Sequence, residues 1–310
     1  SRMHALLLCS SILIFCVVTV TGRLVPKVQQ RQHTRKVLKR NFDSIVSLPQ
    51  GKIRGVRKVG ENGGRYNVFH NIPYAQPPVG DLRFKFPVPA GGWEGVRDGT
   101  KEANACPQYD RAIEQHLGNE DCLYLDVYTP KKASGLDVMV YIHGGYFSHG
   151  FIGSDGYGDL LVAKDVIVVM LQYRLGLLGF LSTGDEKIPG NFGLRDQNLA
   201  LQWVKSNIEH FGGDPSKITL FGISAGAVSV HMQILSPYSK DLFSRAILQS
   251  GNAILPFATR NDHANVALRV GNDLQCPGVT EESTVGDADL FPCLQSSNAT
   301  ELVTLYNDYQ

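Results

Sequence analysis

Four segments in the middle of the chain each contain a run of apolar residues, without the strict alternation expected of a strand that has one solvated face. Such runs are typical of strands buried on both faces of a parallel sheet. The segments are VMVYIHG at 138–144, VIVVMLQYR at 166–174, KITLFG at 217–222 and SRAILQSG at 244–251. The pattern therefore predicts a parallel sheet at the centre of the fold.

Helical patterns separate these runs. Over 196–210 the apolar residues recur at spacings of one and four, and two glycines follow that end a helix. The apolar stripe consists of Leu199, Ala200, Trp203, Val204 and Ile208. A second helix is predicted over 225–235, because Pro237 cannot continue it. Alternating strands and helices indicate the α/β class, and an amino-terminal hairpin is predicted around 49–51.

The first 43 residues have a different character, whereas no linker or repeat interrupts 44–310, which we interpret as one folding unit. An apolar run over 5–20, followed by two small residues, predicts a secretory signal peptide over 1–22. A transmembrane anchor is the alternative, but the run is shorter than the ~20 residues that span a bilayer. Residues 23–43 form a basic extension, either a solvated tail or a propeptide cut after Arg40.

These features predict a secreted protein with no membrane span after signal cleavage, and attachment to a membrane through later residues stays open.

Charge is also distributed unevenly along the chain. Residues 1–40 hold eight of the 30 Lys and Arg and no acid, which leaves 22 basic against 29 acidic residues in the rest. An acidic surface repels phosphates, so we expect no nucleic-acid partner.

Four cysteines follow the predicted signal peptide. An even set in a secreted protein predicts two disulfides, although four cysteines allow three connectivities and free core thiols are the alternative. Pairing of neighbours, Cys106 with Cys122 and Cys276 with Cys293, costs the least loop-closure entropy. The sequon at Asn298 predicts an N-linked glycan in a polar stretch.

The segment FGISAGA has the G-x-S-x-G form of a nucleophile elbow, with Ser224 at its centre. Chance can supply such a match in a glycine-rich chain, but here the motif lies where an apolar strand meets a helix. A serine on a sharp, strained turn requires glycine at positions 222 and 226, because side chains would find no room there. The pattern predicts a nucleophile, and an ordinary serine in a βα turn is the alternative.

A second motif, HGGY at 143–146, follows a predicted strand at its carboxyl end. Ester hydrolysis places a negative charge on the carbonyl oxygen, and backbone N–H groups can receive it. Glycines let this loop approach the substrate closely, and the N–H of Ala225 at the start of the next helix can contribute. A glycine-rich turn without such a role is the alternative.

With several further motifs, the chain resembles the type-B carboxylesterase and cholinesterase family of α/β-hydrolases over about residues 44–310. The matching stretches are NIPYAQPPVGDLRF, NEDCLYLDVYTP, VMVYIHGG, YRLGLLGFLSTGD, GNFGLRDQNLALQWV, FGGDPSKITLFGISAGA and AILQSG. The resemblance implies an α/β-hydrolase fold, with a mostly parallel central sheet and flanking helices, of which this chain is the amino-terminal portion.

The resemblance also implies a function, that of a serine esterase that acts on a small-molecule ester, and it implies roles for individual residues. Ser224 would form the acyl-enzyme, and the oxyanion donors would be Gly145, Tyr146 and Ala225. Phe257 takes the position of an aromatic residue in the family's acyl pocket, which favours an apolar acyl group. A disulfide and two ion pairs are also implied: Cys106–Cys122, Arg83–Glu120 and Arg174–Asp196.

The chain departs from the family pattern at several positions. Ile223 stands before the serine where most members have an acid, Tyr146 replaces a third glycine, and Gln172 replaces an asparagine. The segment between the first two paired cysteines also lacks the tryptophan that choline-binding members place there. Because a quaternary ammonium group prefers an aromatic face, acetylcholine is not an expected substrate.

A serine nucleophile needs a histidine base and a carboxylate, which follow the serine in this fold. His231 lies about 10 Å along the predicted helix that follows Ser224, His263 starts another predicted helix, and the resemblance places His143 in the oxyanion strand. We therefore expect the acid and the histidine to follow Gln310 in a longer esterase, with the 310-residue chain inactive by itself. The transcript sequence past Gln310 would test this hypothesis.

The alternative is a catalytically inactive cell-surface adhesion protein that resembles neuroligins, although that branch commonly loses the serine. The sequence contains no recognisable metal cluster, phosphate loop or dinucleotide fingerprint. We therefore expect neither a cofactor nor a metal site.

Overall fold

The predicted apolar runs form strands in the computed structural model, which describes residues 44–60, 63–111, 113–280, 282–285 and 290–308. The signal peptide predicted over 1–22 and the basic extension over 23–43 lie outside these residues. The strands are β1 (Ser44–Leu48), β2 (Gly51–Val59), β3 (Arg65–Pro73), β4 (Val96–Asp98), β5 (Gln108–Asp110), β6 (Gln115–Leu117), β7 (Tyr124–Pro130), β8 (Leu136–Ile142), β9 (Ile167–Leu171), β10 (Gly213–Ile223) and β11 (Arg245–Gln249).

The central sheet has the order β1-β2-β3-β7-β9-β8-β10-β11, with β4 pairing beside β2. The pairs from β9 to β11 are parallel, whereas those from β1 to β9 are antiparallel. The predicted α/β class and parallel strands are therefore confirmed, but the predicted burial of 244–251 is wrong, since β11 is the last strand in this order and none of its residues is buried. The predicted hairpin is also present, since β1 and β2 pair across a turn at Pro49 and Gln50.

Helices connect the parallel strands, and none among the described residues is both long and apolar enough to cross a bilayer. They are α1 (Tyr157–Val162), α2 (Gly176–Phe180), α3 (Phe192–Asn207), α4 (Ala225–Leu235), α5 (His263–Asp273), α6 (Leu290–Ser296) and α7 (Ala299–Asp308). Short 3-10 helices occupy Gly80–Leu82, Ile208–Phe211, Pro237–Ser239 and Pro256–Ala258.

The helix predicted over 225–235 has those bounds, but α3 begins about four residues before the predicted start near 196. Tertiary packing explains the difference. Phe192 is fully buried, and a Cβ built on Gly193 would lie 2.5 Å from the carbonyl oxygen of Arg174. The first turn of α3 is thus held against the segment that follows β9.

Side chains of β8 alternate between the two faces of the sheet. Val140 and Ile142 join a core with the apolar stripe of α3, while Tyr141 packs on the opposite face with Val162 of α1. Helices therefore cover both faces. The carboxyl ends of β8 and β10 lie at the same edge of the sheet, because these strands are parallel.

Both predicted disulfides are present. Cys106 and Cys122 close the hairpin formed by β5 and β6, and their Cα atoms lie 5.0 Å apart. Cys276 and Cys293 join the segment after α5 to α6, with Cα atoms 5.7 Å apart. We call residues 106–122 the disulfide hairpin.

The two implied ion pairs are also present. Arg83 donates from Nε to Glu120 at 2.8 Å. Arg174 and Asp196 are almost fully buried, and Asp196 accepts bonds from the Arg174 backbone N–H, Nε and Nη2 at 3.0, 2.8 and 2.6 Å. This second pair fixes α3 to the segment after β9.

We expect Asp196→Asn to lower the free energy of unfolding by about 3 kcal/mol or more, because it leaves the Arg174 charge buried without a counter-charge. Urea denaturation measures this loss. The control is Asp214→Asn, which removes a partly exposed carboxylate 3.2 Å from Lys217 and should shift the midpoint little. Equal shifts for the two variants would contradict the assignment.

Candidate active site

Ser224 occupies the turn between β10 and α4, with φ 55° and ψ −122°. This backbone conformation is strained for any residue with a side chain. A Cβ on Gly222 would lie 2.5 Å from the carbonyl carbon of Gly226, and a Cβ on Gly226 would lie 2.1 Å from the oxygen of Ile142. The turn is therefore possible only with glycine on both sides of the serine, as the sequence predicts.

Hydrogen bonds hold this strained turn in place. The Ser224 backbone N–H donates to the backbone carbonyl oxygen of Gln249 in β11 at 2.8 Å. The backbone carbonyl oxygen of Ser224 accepts from the Val228 N–H of α4 at 3.0 Å. Ser224 itself is half-buried, whereas Ala225 is fully buried at the first position of α4. The first N–H groups of a helix have no acceptor within the helix, so the Ala225 N–H is available at this end.

The HGGY motif opens a tight turn over residues 143–150, which we call the glycine loop. A Cβ on Gly144 would lie 2.6 Å from the Ile223 oxygen and 3.3 Å from the Ser224 Cβ, so this loop lies against the elbow. Gly145 has φ 104°, and a Cβ there would lie 2.1 Å from the His149 oxygen. These contacts require a bare backbone at both glycines.

The carbonyl oxygens of Gly144 and Gly145 accept hydrogen bonds within the glycine loop. The Gly144 oxygen lies 2.9 Å from His143 Nδ1, and the Gly145 oxygen accepts from the N–H groups of Ser148 and His149 at 2.9 and 3.0 Å. In a trans peptide the N–H points opposite to the C=O. The N–H groups of Gly145 and Tyr146 therefore point away from these contacts.

His143 is buried, and its ring stacks on Tyr173 with centroids 4.4 Å apart. Burial lowers the pKa of His143 to about 4, which outweighs the opposite effects of the bond to Gly144 and the charge of Asp155. The imidazole is therefore neutral near pH 7. Because the Gly144 oxygen can only accept, we assign the proton to Nδ1, and Nε2 has no partner among the described residues.

Two aromatic side chains lie beside the glycine loop. Tyr146 has φ 53°, and its side chain is 62% exposed. Its ring centroid lies 5.4 Å from that of Phe257, which belongs to the 3-10 helix Pro256–Ala258. The structure thus brings Phe257 to the same edge of the sheet as Tyr146.

Ile223, which stands where the family most often has an acid, is half-buried against an aromatic cluster. The cluster includes Tyr141 and Phe221, with Tyr157 against it. Apolar packing therefore replaces a polar network beside the serine.

The histidines after Ser224 have other contacts. His231 Nδ1 accepts a hydrogen bond from the Ala253 N–H at 3.1 Å, so it binds the segment after β11. His263 begins α5 as predicted, and its Nε2 would lie 3.0 Å from a Cβ on Gly184. Neither ring is among the hydrogen-bond partners of Ser224 in the described part of the chain.

A buried histidine and carboxylate pair was not predicted from the sequence. His70 Nδ1 lies 2.5 Å from Asp126 Oδ2, and both side chains are almost fully buried. The pair lies on β3 and β7, and β7 is three strands away from β10 in the sheet. At ~4.8 Å per strand this separation excludes a proton transfer with Ser224.

We expect the free energy of unfolding to fall by about 3 kcal/mol between pH 6.5 and pH 4 through His143 alone. The folded-state pKa is below the unfolded one, so acid protonates the unfolded chain first and the stability is lost as the pH falls. Urea denaturation at several pH values across this range gives the free energy of unfolding as a function of pH, and its slope should be smaller for His143→Asn than for the wild type. His210→Asn, at an exposed histidine, should keep the wild-type slope, and an unchanged slope in His143→Asn would contradict this account.

The sequence matches the profile of the family described as the carboxylesterase family over residues 43–310. It is 43% identical to a carboxylic ester hydrolase of Bombus ignitus over 82% of this chain and 46% of that protein. It is 41% identical to Esterase FE4 of Myzus persicae over 85% of this chain and 47% of that protein.

Pyrethroid hydrolase Ces2e of Rattus norvegicus is also 41% identical, over 85% of this chain and 48% of that protein. The chain thus spans about half the length of the curated relatives it matches. The extent of the profile match and these identities agree with the elbow at Ser224 and the glycine loop. The chain belongs to the carboxylesterase family.

Proposed function

We propose that the complete protein is a serine carboxylic ester hydrolase in which Ser224 forms an acyl-enzyme. The observation that carries this proposal is the strained turn at Ser224, with the glycine loop against it. Strain of about 1–3 kcal/mol persists only where the surrounding structure imposes it, and such residues cluster at active sites. Several relatives are named as esterases, which supports the same reaction.

In the proposed reaction, Ser224 Oγ attacks the ester carbonyl carbon while its proton passes to a general base. The negative charge on the carbonyl oxygen is received by the N–H groups of Gly145, Tyr146 and Ala225. Collapse of the tetrahedral intermediate breaks the ester bond, and the base returns the proton to the leaving alcohol. Water then attacks the acyl-enzyme by the same route and releases the acid.

The base and its carboxylate, in this proposal, lie outside the described residues of this chain. His231 accepts a hydrogen bond from the Ala253 N–H, His263 begins α5, and the His70–Asp126 pair lies three strands away from the elbow. A histidine base must come within about 3 Å of the serine oxygen, which excludes a role for a pair at that distance.

We further propose a small ester with an apolar acyl group as the substrate. Tyr146 and Phe257 present partly exposed rings beside the glycine loop. Neither tryptophan of the chain is at this place, since Trp93 donates to the Lys52 oxygen near the amino-terminal hairpin and Trp203 packs in the core with α3. This supports the expectation that acetylcholine is not the substrate.

The proposed location is extracellular. Two disulfides are typical of an oxidising compartment. Venom carboxylesterase-6 of Apis mellifera, a relative with 40% identity, is named after a secretion. The signal peptide over 1–22 and the glycan on Asn298 belong to this proposal. Asn298 is exposed before α7, and its Oδ1 accepts from the Thr300 N–H at 2.8 Å, so Nδ2 remains accessible.

Substitution of Ser224 tests the proposed reaction. In the complete gene product, Ser224→Ala should lower kcat for p-nitrophenyl butyrate by about 10⁴-fold or more. A fluorophosphonate probe should label Ser224, as located by peptide mass spectrometry. Ser206→Ala, at an exposed position of α3, is the control and should keep full activity. Absence of both turnover and label would favour the inactive adhesion protein instead.

Truncation of Phe257 tests the substrate class. Each buried methylene of an acyl chain contributes about 0.8 kcal/mol, and butyrate has two more methylenes than acetate, so loss of the ring should lower the preference for butyrate by up to about 15-fold in kcat/KM. The measurement compares p-nitrophenyl esters of both acids in Phe257→Ala. Phe86→Ala removes a similarly exposed ring that packs on Phe192, and it should leave the preference unchanged. An unchanged preference in Phe257→Ala would reject the assignment.

A further inference from the structure

The side chain of Gln108 connects the disulfide hairpin to the glycine loop. Gln108 is buried and follows Cys106 by two residues. Its Oε1 accepts from the Gly150 N–H at 2.8 Å, and its Nε2 donates to the oxygens of Gly150 and Cys106, both at 3.0 Å. One amide thus bonds both backbone groups of the last residue in the glycine loop.

Gly150 packs directly against the group that orients the candidate oxyanion donors. Its φ is 113°, and a Cβ there would lie 2.4 Å from His143 Nδ1 and 2.6 Å from the Gly144 oxygen. The bond between these two atoms determines where the Gly145 N–H points. A shift of Gly150 would therefore displace the His143 to Gly144 contact.

A disulfide and strand pairing in the disulfide hairpin support Gln108. The Cys106–Cys122 disulfide closes it, and β5 pairs with β6 so that Gln108 lies opposite Leu117. A second buried amide holds the segment before the hairpin, since Gln172 Nε2 donates to the Asn104 oxygen at 2.9 Å. The backbone of Gln108 is thus fixed to the sheet by covalent and hydrogen bonds.

We propose that Gln108 is a positioning residue for ester hydrolysis, which holds Gly150 and thereby aligns the N–H donors of the glycine loop with the oxyanion. The inference rests on the proposed function. Gln108 touches neither the serine nor the reacting atoms, so it acts only through the loop. Misplacement of reacting groups by about 1 Å lowers rates by about a hundredfold.

Gln108→Met in the complete gene product tests the role, because methionine has a similar length and no strong hydrogen-bonding group. We expect kcat for p-nitrophenyl butyrate to fall by about 10- to 100-fold, with KM changed by less than about twofold. The matched control is Gln233→Met. Gln233 is a buried glutamine of α4 that donates to the Leu194 oxygen at 2.9 Å, away from the glycine loop, and its loss should affect thermal stability but not kcat.

A thionoester substrate separates positioning from general destabilisation. Sulfur is a weaker acceptor than oxygen, so the ratio of ester to thionoester hydrolysis reports the quality of the oxyanion contacts. The ratio should fall by about tenfold in Gln108→Met and stay unchanged in Gln233→Met. A purely structural role for Gln108 would leave this ratio at the wild-type value.

The outcomes are distinguishable. If the wild type hydrolyses esters and Gln108→Met keeps its kcat or its ester to thionoester ratio, the role of Gln108 is refuted and the proposed function stands. If the wild type shows neither turnover nor fluorophosphonate labelling, both fail. Should Gln108→Met not fold, Gln108→Glu is measured by the same criteria, since it keeps an acceptor for the Gly150 N–H and loses both donated bonds.

Discussion

The close crossing of α4 over the end of β8 is the constraint on which the site depends. Gly226 brings the helix backbone so near the Ile142 oxygen that one additional methyl group would separate the two elements. The crossing brings the first turn of the helix beside the glycine loop, and Ser224 must adopt a strained conformation to connect strand and helix. Packing in the sheet, rather than any local preference of the serine, sustains that strain.

The buried His143 ring holds the Gly144 carbonyl group of the glycine loop in place, but its burial lowers the stability of the fold. A neutral imidazole donates to the Gly144 oxygen, while its other nitrogen has no partner among the described residues. An unsatisfied buried nitrogen disfavours folding. Stacking on Tyr173, and the bond from the Tyr173 hydroxyl to the His143 oxygen at 2.9 Å, offset part of this cost. The contact that orients the glycine loop is thus accompanied by a local loss of stability.

Steric rules made the elbow predictable from sequence, because positions 222 and 226 tolerate only glycine, and continuous apolar runs identified the parallel strands. Polar contacts were not predictable in the same way. The partner of Gln108 lies 42 residues away and that of His70 lies 56 residues away, so only the folded topology brings them together. The early start of α3 has a similar origin, since burial of Phe192 against a distant segment overrides the local signal.

At Tyr146 the backbone and the side chain serve different purposes, since the N–H is an oxyanion donor in the proposed reaction and the ring is exposed. The backbone N–H points as it does because of the Gly145 carbonyl contacts, whatever side chain follows. The ring extends toward solvent and Phe257. In the proposed esterase, a substitution that keeps the positive φ of residue 146 would therefore change the side chain that faces the substrate and leave the direction of the N–H unchanged.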